Sequence, residues 1–483
     1  MELKELKQIL PNARFYDFQN LEITGISYDS RQIKSGDLFV AIKGVSTDGY
    51  RFIADALHRG ALTLVTHKKA NLFPLVPQIV VNSPRAALAT ISSYFYGNPS
   101  AKLKVIGVTG TNGKTTTTYL IKSILEAKGE KVGLIGTIQY LIGDRQIPAP
   151  NTTPESYDLQ KYFAEMLRLG LNYAVMEVSS HALVQQRVRG TSFHMGLFTN
   201  LTRDHMDYHK TAANYRAAKA LLFKGLSDES IAIFNYEDKA SNYYNKVTKA
   251  RKLWYSIKSS NATVSADIIE MTLNGTRFTL VTPFGSIPIE TALIGPHNVY
   301  NIIAAATAGI ACGVPLENVK QGIEAVKSVR GRQELVNSGQ GFHIMIDYAH
   351  TDDALKNVLS AVKPLVNGRV IVVFGCGGDR DRGKRPLMGK VVAKYADTFV
   401  ITSDNPRSED PLRIIADIRR GIAKKKNYIV EPDRYQAIKK ALHLAKPGDL
   451  VLLAGKGHET YQIFNNVVKP FDDRQAAMEI LNS

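Results

Sequence analysis

The stretch that decides the fold is "GVTGTNGKTTTTYL", residues 107–120. It approximates the phosphate-binding pattern G-x-x-x-x-G-K-[ST], but Val108 stands where the first glycine is expected, and glycines occur instead at Gly107 and Gly110. The residues before it, KVIGVTG, are typical of a buried strand, and those after it, TTTTYLIKSILEAKG, of a helix. Because a glycine loop between a strand and a helix N-terminus directs backbone N–H groups at an anion, we expect a variant phosphate loop that binds ATP.

Each side chain of this loop has a chemical task. Lys114 can reach the outer phosphates, and the threonine that follows can bind Mg²⁺. The loop candidates for ATP binding are Gly110, Thr111, Asn112, Gly113, Lys114, Thr115 and Thr116. Further along, Glu177 closes the apolar run YAVMEV and His205 follows the next run, and both are metal-ligand candidates. The structural alternatives are an ordinary glycine turn before a helix, a strand-end glutamate and a lone histidine in the fold.

Outward from the loop, apolar runs alternate with helical segments. KVIGVTG, NYAVMEVSS, HMGLFTNL and IAIFN are typical of buried parallel strands, and NVYNIIAAATAGIACG of a helix. The end of the chain repeats this alternation with HIMIDYA, RVIVVFGCG, TFVITSD, YIVEPD and DLVLLAG. The pattern predicts an α/β protein of three domains: a smaller mixed α/β domain over 1–99, a central P-loop domain with a parallel sheet over 100–331, and a Rossmann-like domain over 332–483.

Composition limits the class of protein. The chain has 483 residues, of which 44% are hydrophobic and 22% charged, and it has no apolar run long enough to predict a membrane span. Only Cys312 and Cys376 are present, which favours a cytoplasmic protein without a disulfide framework. The net charge of +17 suits either nucleic acid or small polyanions such as nucleotides, but no aromatic-interleaved basic stripe indicates nucleic acid.

Eleven segments in order resemble one family over nearly the whole chain. They are TGTNGKTTT, NTTPES, EVSSHALVQQRV, TNLTRDHMDYH, YRAAKALLF, GPHNVYNIIAA, RGRQE, DYAHTDDAL, GCGGDRDRGKRP, SDNPRSEDP and AGKGHETYQ. The sequence resembles the Mur ligases, ATP-dependent amino-acid-adding enzymes of peptidoglycan synthesis. The resemblance is strongest to the member that adds the third residue to UDP-N-acetylmuramoyl-L-alanyl-D-glutamate. It implies that a substrate carboxylate becomes an acyl phosphate, which an incoming amine converts to an amide.

The resemblance also implies roles for individual residues. Lys114 would steady the transferring phosphate, and Thr115, Glu177, His205 and Lys219 would surround Mg²⁺. Lys219 matches a lysine that carbon dioxide carbamylates to N6-carboxylysine; a plain surface or phosphate-binding lysine is the alternative. Near the adenine or ribose it implies Asn298, Arg332 and Asp347, with His350 close by. An interdomain salt bridge is the alternative for Arg332.

The nucleotide-sugar peptide is expected across the first two domains. By resemblance, the residues that face the UDP end are Tyr28, Ser30, Val45, Ser46 and Thr47. Those that hold the muramoyl peptide are Asn151, Thr152, Thr153, Ser179, Gln185 and Arg187. Arg187 can grip a carboxylate or phosphate with two parallel hydrogen bonds. Ordinary loop chemistry is the alternative for the first-domain positions.

The stretch SDNPRSEDP bears on which amino acid is added. An acceptor with a second carboxylate needs a cation at the far end of its pocket, and the planar fork of Arg407 suits that task. Asp404 and Glu459 could bind a distal ammonium and Arg380 the other carboxylate, which points to meso-2,6-diaminopimelate. The resemblance adds Asn405, Pro406 and Gly455 to this pocket. A plain Asn-Pro turn with Arg407 on the surface is the alternative.

Other functions stay open at this point. An L-lysine-adding relative of the same step is the nearest, and a folylpolyglutamate synthetase shares the loop, glutamate and histidine pattern. A nucleic-acid-stimulated P-loop ATPase or a nucleotide-binding regulator without catalysis belongs to another class. We expect no nucleic-acid partner and a monomer.

Overall fold

Three main sheets and a separate hairpin organise the chain in the computed structural model, which describes residues 1–44, 47–336, 339–422, 427–465 and 467–482. We call the three units built on these sheets the first, second and third lobes. The predicted α/β class with three domains is confirmed. The domain boundaries after residues 99 and 331 stay a prediction.

The first lobe is a five-stranded sheet with short helices against it. Its strands are β1 (Arg14–Tyr16), β2 (Gly25–Ser27), β3 (Asp37–Val40), β4 (Thr63–Thr66) and β5 (Gln78–Val80), and its helices are α1 (Leu6–Ile9), α2 (Ile53–His58) and α3 (Pro84–Phe95). The strand order is β1-β5-β4-β3-β2, and the pairs are parallel except for β1 with β5. Helix α3 begins at a proline and is capped by the Ser83 hydroxyl, which accepts from the Ala86 N–H.

The second lobe contains an eleven-stranded sheet. Its strands are β6 (Lys104–Thr109), β7 (Val132–Ile135), β8 (Gln139–Ile142), β9 (Arg145–Pro148), β10 (Tyr173–Glu177), β11 (Phe193–Phe198), β12 (Ile231–Asn235), β13 (Arg251–Ser256), β14 (Val264–Thr272), β15 (Gly275–Thr282) and β16 (Gly285–Thr291). Its helices are α4 (Lys114–Ala127), α5 (Ser156–Arg168), α6 (Ser180–Val184), α7 (Met206–His209), α8 (Ala212–Lys224), α9 (Lys239–Val247), α10 (Pro296–Ala311) and α11 (Leu316–Ala325).

The order of these strands puts the phosphate loop at the centre of the second lobe. It runs β16-β15-β14-β13-β12-β11-β6-β10-β7-β8-β9, with parallel pairs from β7 to β14 and antiparallel hairpins at both edges. Strands β6 and β10 are neighbours, so their carboxyl ends lie side by side. Because ligands of open parallel sheets bind beyond these ends, the topology directs attention to Gly110 and Glu177.

The third lobe is a six-stranded sheet with helices on both faces. Its strands are β17 (Glu334–Val336), β18 (His343–Asp347), β19 (Val370–Phe374), β20 (Thr398–Ile401), β21 (Tyr428–Val430) and β22 (Leu450–Ala454), followed by the hairpin β23 (Tyr461–Phe464) and β24 (Val467–Pro470). Its helices are α12 (Asp352–Val362), α13 (Lys384–Tyr395), α14 (Pro411–Arg419), α15 (Arg434–Leu444) and α16 (Asp473–Leu481). The order is β17-β18-β22-β19-β20-β21, parallel except for β17.

Apolar side chains on both faces of these sheets explain the continuous hydrophobic runs. In the second lobe one face of the sheet packs on α4, α10 and α11, and the other on α5, α8 and α9. The predicted strands β6, β10, β11 and β12 are all fully or nearly fully buried. Among the described residues, no helix has both the length and the apolar content to cross a membrane.

Candidate active site

A cavity of about 560 Å³ lies between the second and third lobes, at the carboxyl ends of β6 and β10. Nine of the ten predicted ATP residues line it: Thr111, Asn112, Gly113, Lys114, Thr115, Thr116, Asn298, Arg332 and Asp347. Glu177 and His205 line it too, together with Thr152, Ser179 and His350. The structure therefore brings nine ATP candidates and three of the four metal candidates, Thr115, Glu177 and His205, to one place.

The glycines of the loop are explained by close approach of other groups. Gly110 has φ +152°, and a Cβ there would lie 1.8 Å from the Thr199 hydroxyl. Gly113 has φ +86°, and a Cβ there would lie 2.2 Å from Asn301 Oδ1. The position of the missing glycine, Val108, belongs to β6 and is fully buried, so it packs in the core instead of turning the loop.

Two lysines converge on a single backbone carbonyl beneath the loop. Lys114 Nζ donates to the carbonyls of Gly110 (3.0 Å) and Thr111 (2.8 Å). Lys219, on α8, donates to the same Gly110 carbonyl (2.7 Å), and its ammonium lies 4.4 Å from the centre of the Tyr215 ring. Lys219 is only 1% exposed and does not line the cavity. Burial, followed by the nearby Lys114 charge, lowers the pKa of Lys219 well below its ordinary value.

The metal candidates offer oxygen and neutral nitrogen donors. Glu177 accepts hydrogen bonds from the N–H (2.8 Å) and hydroxyl (3.0 Å) of Thr137, which fixes its carboxylate at the end of β10. His205 has φ +55°, and its Nε2 lies 3.3 Å from Asp204; burial lowers the pKa of His205 to about 3, so the imidazole is neutral. In the part of the chain that is described, no three His, Cys, Asp or Glu side chains form a metal cage.

That donor set fits Mg²⁺ bound together with a nucleotide. Magnesium ions are commonly held by one or two carboxylates, with waters and substrate phosphates completing the coordination, so a preformed cage is not needed. Thr115 and Glu177 supply protein oxygens at the cavity wall. Lys219 fits the set only as a carbamate, because an ammonium cannot ligate a cation.

The third lobe reaches directly to the phosphate loop. Arg332 donates to the Thr115 hydroxyl (3.0 Å), and its guanidinium lies 4.7 Å from the centre of the Tyr348 ring. Asn112 donates to Asp353 Oδ2 of α12 (3.0 Å). Arg332 thus makes an interdomain hydrogen bond to a hydroxyl, whereas the alternative expected a salt bridge.

Asp347 and Asn298 hold the backbone around Arg332 through hydrogen bonds. The Asp347 carboxylate accepts from the N–H groups of Gln333 (2.7 Å) and Ala349 (2.7 Å). Asn298 donates to the Gln333 side chain (2.7 Å). Both candidates therefore fix the backbone beside Arg332 as well as lining the cavity.

The muramoyl-peptide candidates form a strip beside Glu177. The Thr153 hydroxyl donates to the Glu177 carbonyl (2.8 Å), and Arg187 Nη1 donates to the Thr153 carbonyl (3.0 Å). Gln185 donates to the Tyr208 hydroxyl (3.4 Å). The other candidates on this strip are Asn151, Thr152 and Ser179, and the last two border the cavity.

One first-lobe candidate, Tyr28, contacts the second lobe. The Tyr28 hydroxyl donates to Asp158 of α5 (2.6 Å). Ser30 is buried, and Thr47 is exposed. Val45 and Ser46 lie outside the described residues.

The acceptor candidates gather at the carboxyl ends of β20 and β22. We call Asp404–Arg407 with Gly455 and Glu459 the acceptor pocket; none of them lines the cavity. Arg407 has φ +54°, its N–H donates to the Ile463 carbonyl (2.9 Å), and its Nη1 donates to the Gly378 carbonyl (2.8 Å). Asn405 donates to Glu459 Oε2 (2.8 Å). The hairpin β23–β24 thus holds Arg407 in a left-handed conformation.

The basic residues near the acceptor pocket differ in their burial and in their hydrogen-bond partners. Arg385 is buried and bonds to Glu409 (2.8 Å) and Asp417 (3.0 Å), so its charge is used within the fold. Arg380 is exposed and donates to a neighbouring carbonyl. Asp404 packs against Gly455, where a Cβ would lie 2.8 Å from Asp404 Oδ2.

Sequence reasoning missed several residues of these sites. Tyr348 and Asp353 belong to the quoted segment DYAHTDDAL, so the motif contained the signal. Thr137, which orients Glu177, follows β7 in a segment that carried no motif.

Comparisons with known proteins match this architecture along the chain. Three family models match: "Mur ligase family, catalytic domain" over residues 22–96, "Mur ligase middle domain" over 108–309 and "Mur ligase, glutamate ligase domain" over 331–457.

Individual relatives cover almost all of the chain. The UDP-N-acetylmuramoyl-L-alanyl-D-glutamate–2,6-diaminopimelate ligase of Geobacillus kaustophilus (strain HTA426) is 46% identical over 99% of this chain and 98% of its own length. The ligase of the same name from Bacillus velezensis is 47% identical over 95% and 94%. A solved structure, also of a ligase with that name, is 32% identical, with a TM-score of 0.68 over 99% of this chain and 98% of its own.

Proposed function

Because the chain belongs to the Mur ligase family, we propose that it joins meso-2,6-diaminopimelate to the D-glutamate of UDP-N-acetylmuramoyl-L-alanyl-D-glutamate with hydrolysis of ATP to ADP and phosphate. The full-length similarity to ligases of that name carries this proposal. Arg407 in the acceptor pocket supports diaminopimelate over L-lysine, because lysine has no second carboxylate for a guanidinium to bind.

The cavity would hold ATP, and the D-glutamate carboxylate of the substrate would be activated there. The phosphate loop and the N-terminus of α4 present N–H groups to the phosphates, and Lys114 would exchange its carbonyl partners for the transferring phosphate. Mg²⁺ would neutralise phosphate charge, held by Thr115, Glu177, His205 and carbamylated Lys219. The D-glutamate carboxylate, positioned by the strip around Thr153 and Arg187, would take the terminal phosphoryl group to give an acyl phosphate.

The acceptor pocket would then present the amine. Arg407 and Arg380 would bind the two carboxylates of diaminopimelate, and Asp404 with Glu459 its distal ammonium. The free amine attacks the acyl carbon through a tetrahedral intermediate, and phosphate leaves as the amide forms. Positioning and charge neutralisation account for this chemistry without a nucleophilic side chain.

A phosphate-release assay tests this function. The enzyme is supplied with ATP, Mg²⁺ and the UDP-muramoyl dipeptide, and meso-diaminopimelate, L-lysine and no acceptor are compared. We expect release that depends on diaminopimelate, with the tripeptide product identified by mass. Equal release in all three reactions would refute the acceptor assignment, and release stimulated by DNA or RNA instead would favour the ATPase alternative.

We further propose that the protein works as a cytoplasmic monomer without a nucleic-acid partner. Its two cysteines are unpaired, which suits a reducing compartment. Light scattering at assay concentrations measures the mass, for which 53.3 kDa is expected for the single chain. Twice that mass would contradict the monomer.

A further inference from the structure

A buried lysine just after β22 lies against the acceptor pocket. The Lys456 side chain is fully buried, and its Nζ donates to Glu459 Oε2 (3.2 Å) and to the Tyr461 carbonyl. It does not line the ATP cavity. Lysine is rarely buried without a partner, because desolvating an ammonium is costly. We therefore expect nearby charged groups that compensate the buried Lys456 ammonium.

Those charges are two carboxylates that occupy the same pocket. Burial and the Asp404 carboxylate raise the pKa of Glu459, whereas the Lys456 ammonium and the Asn405 amide lower it. The other charged or titratable groups that face Glu459 are Arg434, Tyr348 and Tyr461. Arg434 is held by a bidentate pair with Asp473 (2.6 and 2.7 Å), so its charge is already matched.

We propose that Lys456 is a positioning residue for the acceptor, which keeps Glu459 ionised and turned toward the distal ammonium. Both hydrogen bonds that the described residues give the Glu459 carboxylate, from Lys456 and Asn405, go to Oε2. This arrangement leaves Oε1 to the ligand. Lys456 itself does not touch the acceptor; it acts through Glu459. The inference rests on the proposed function, since it assigns the residue that prepares the same pocket.

The variant Lys456→Met removes the ammonium and keeps the length of the side chain. Without it the pKa of Glu459 rises, so a larger fraction is protonated at neutral pH and cannot bind a cation. We expect kcat/KM for diaminopimelate to fall roughly tenfold at pH 7, on the scale of losing one hydrogen bond to a charged group. The fall should be larger at lower pH, because the protonated fraction of Glu459 grows as the pH decreases. The loss should shrink as pH rises, and the KM for ATP should stay the same.

Controls separate this role from a structural one. Lys456→Arg, which keeps a cation, should recover part of the activity, and Lys469→Met, on the exposed strand β24, should behave as wild type. In a Glu459→Gln background, Lys456→Met should add little further loss; this double variant also serves if the single variant is unstable. A fall in kcat/KM that is equal at every pH would overturn the proposal, as would unchanged kinetics. A wild type without diaminopimelate-dependent release would instead refute the proposed function, and with it this role.

Discussion

Replacing Arg407 with methionine tests how the acceptor is chosen. Methionine replaces the stem of the arginine side chain and carries no charge, and both residues are L-amino acids at φ +54°, so the backbone strain is nearly unchanged. The Arg407 N–H to the Ile463 carbonyl (2.9 Å) and the Asn465 N–H to the Arg407 carbonyl (2.7 Å) involve only backbone atoms and remain. The substitution therefore removes the guanidinium and little else.

The size of the effect follows from burial of that guanidinium. Truncating one partner of a buried, hydrogen-bonded charge pair costs roughly 2–5 kcal/mol. Arg407 is half-buried, so we expect the lower part of this range, about 2–3 kcal/mol. That corresponds to a roughly 30- to 150-fold fall in kcat/KM for meso-diaminopimelate, because about 1.4 kcal/mol is a factor of ten.

Steady-state phosphate release with varied acceptor and varied ATP measures this effect. The KM for ATP should hardly change. The ratio of kcat/KM for diaminopimelate to kcat/KM for L-lysine should fall, because L-lysine has no second carboxylate and so loses no contact with Arg407. Arg382→Met is the matched control: Arg382 is 72% exposed and pairs with Glu409 (3.1 Å), outside the pocket. An acceptor kcat/KM within twofold of wild type, or an equal rise in both KM values, would refute the assignment of Arg407.

Two further variants test buried charges. Lys219→Ala should lower kcat by about a hundred- to a thousandfold, on the scale of losing one essential electrostatic group, and short carboxylic acids should restore part of the activity by replacing the carbamate. Full activity without rescue would dismiss the modification. Asp473→Asn leaves Arg434 unpaired in a pair whose side chains are both 0% exposed, so unfolding of the third lobe in urea should need about 3–5 kcal/mol less. An unchanged unfolding midpoint would contradict that cost.

The elements nearest the cavity were the most predictable from sequence. The quoted apolar runs locate β6, α4, β10 and α10 to within three residues at each end. The order of the strands could not be predicted, because continuous apolar runs say that a strand is buried but not which strand lies beside it. The short strands β7 to β9, which end the sheet on one side, and the hairpin β23–β24 were not predicted, since four-residue elements carry little periodicity.

The role of a side chain could be predicted where it belongs to a sequence motif. It could not be predicted where it depends on a partner that is distant in sequence. The basic cluster near Arg380 left open which cation serves the acceptor. Arg385 does not serve the acceptor, because it pairs with Glu409 and Asp417, which lie in a loop and a helix after β20. Only tertiary contacts reveal that its charge is matched.

The cavity and the acceptor pocket are distinct, and Tyr348 lies close to both. Tyr348 lines the cavity, and its ring lies 4.9 Å from that of His458, the residue before Glu459. The same ring contacts Arg332, which donates a hydrogen bond to Thr115 of the phosphate loop. In the proposed reaction the acyl phosphate would form in the cavity, and the distal groups of the acceptor would bind in the acceptor pocket. Recognition of the acceptor by those distal groups would leave its reacting amine free to reach the acyl carbon, so that positioning favours amide formation over hydrolysis.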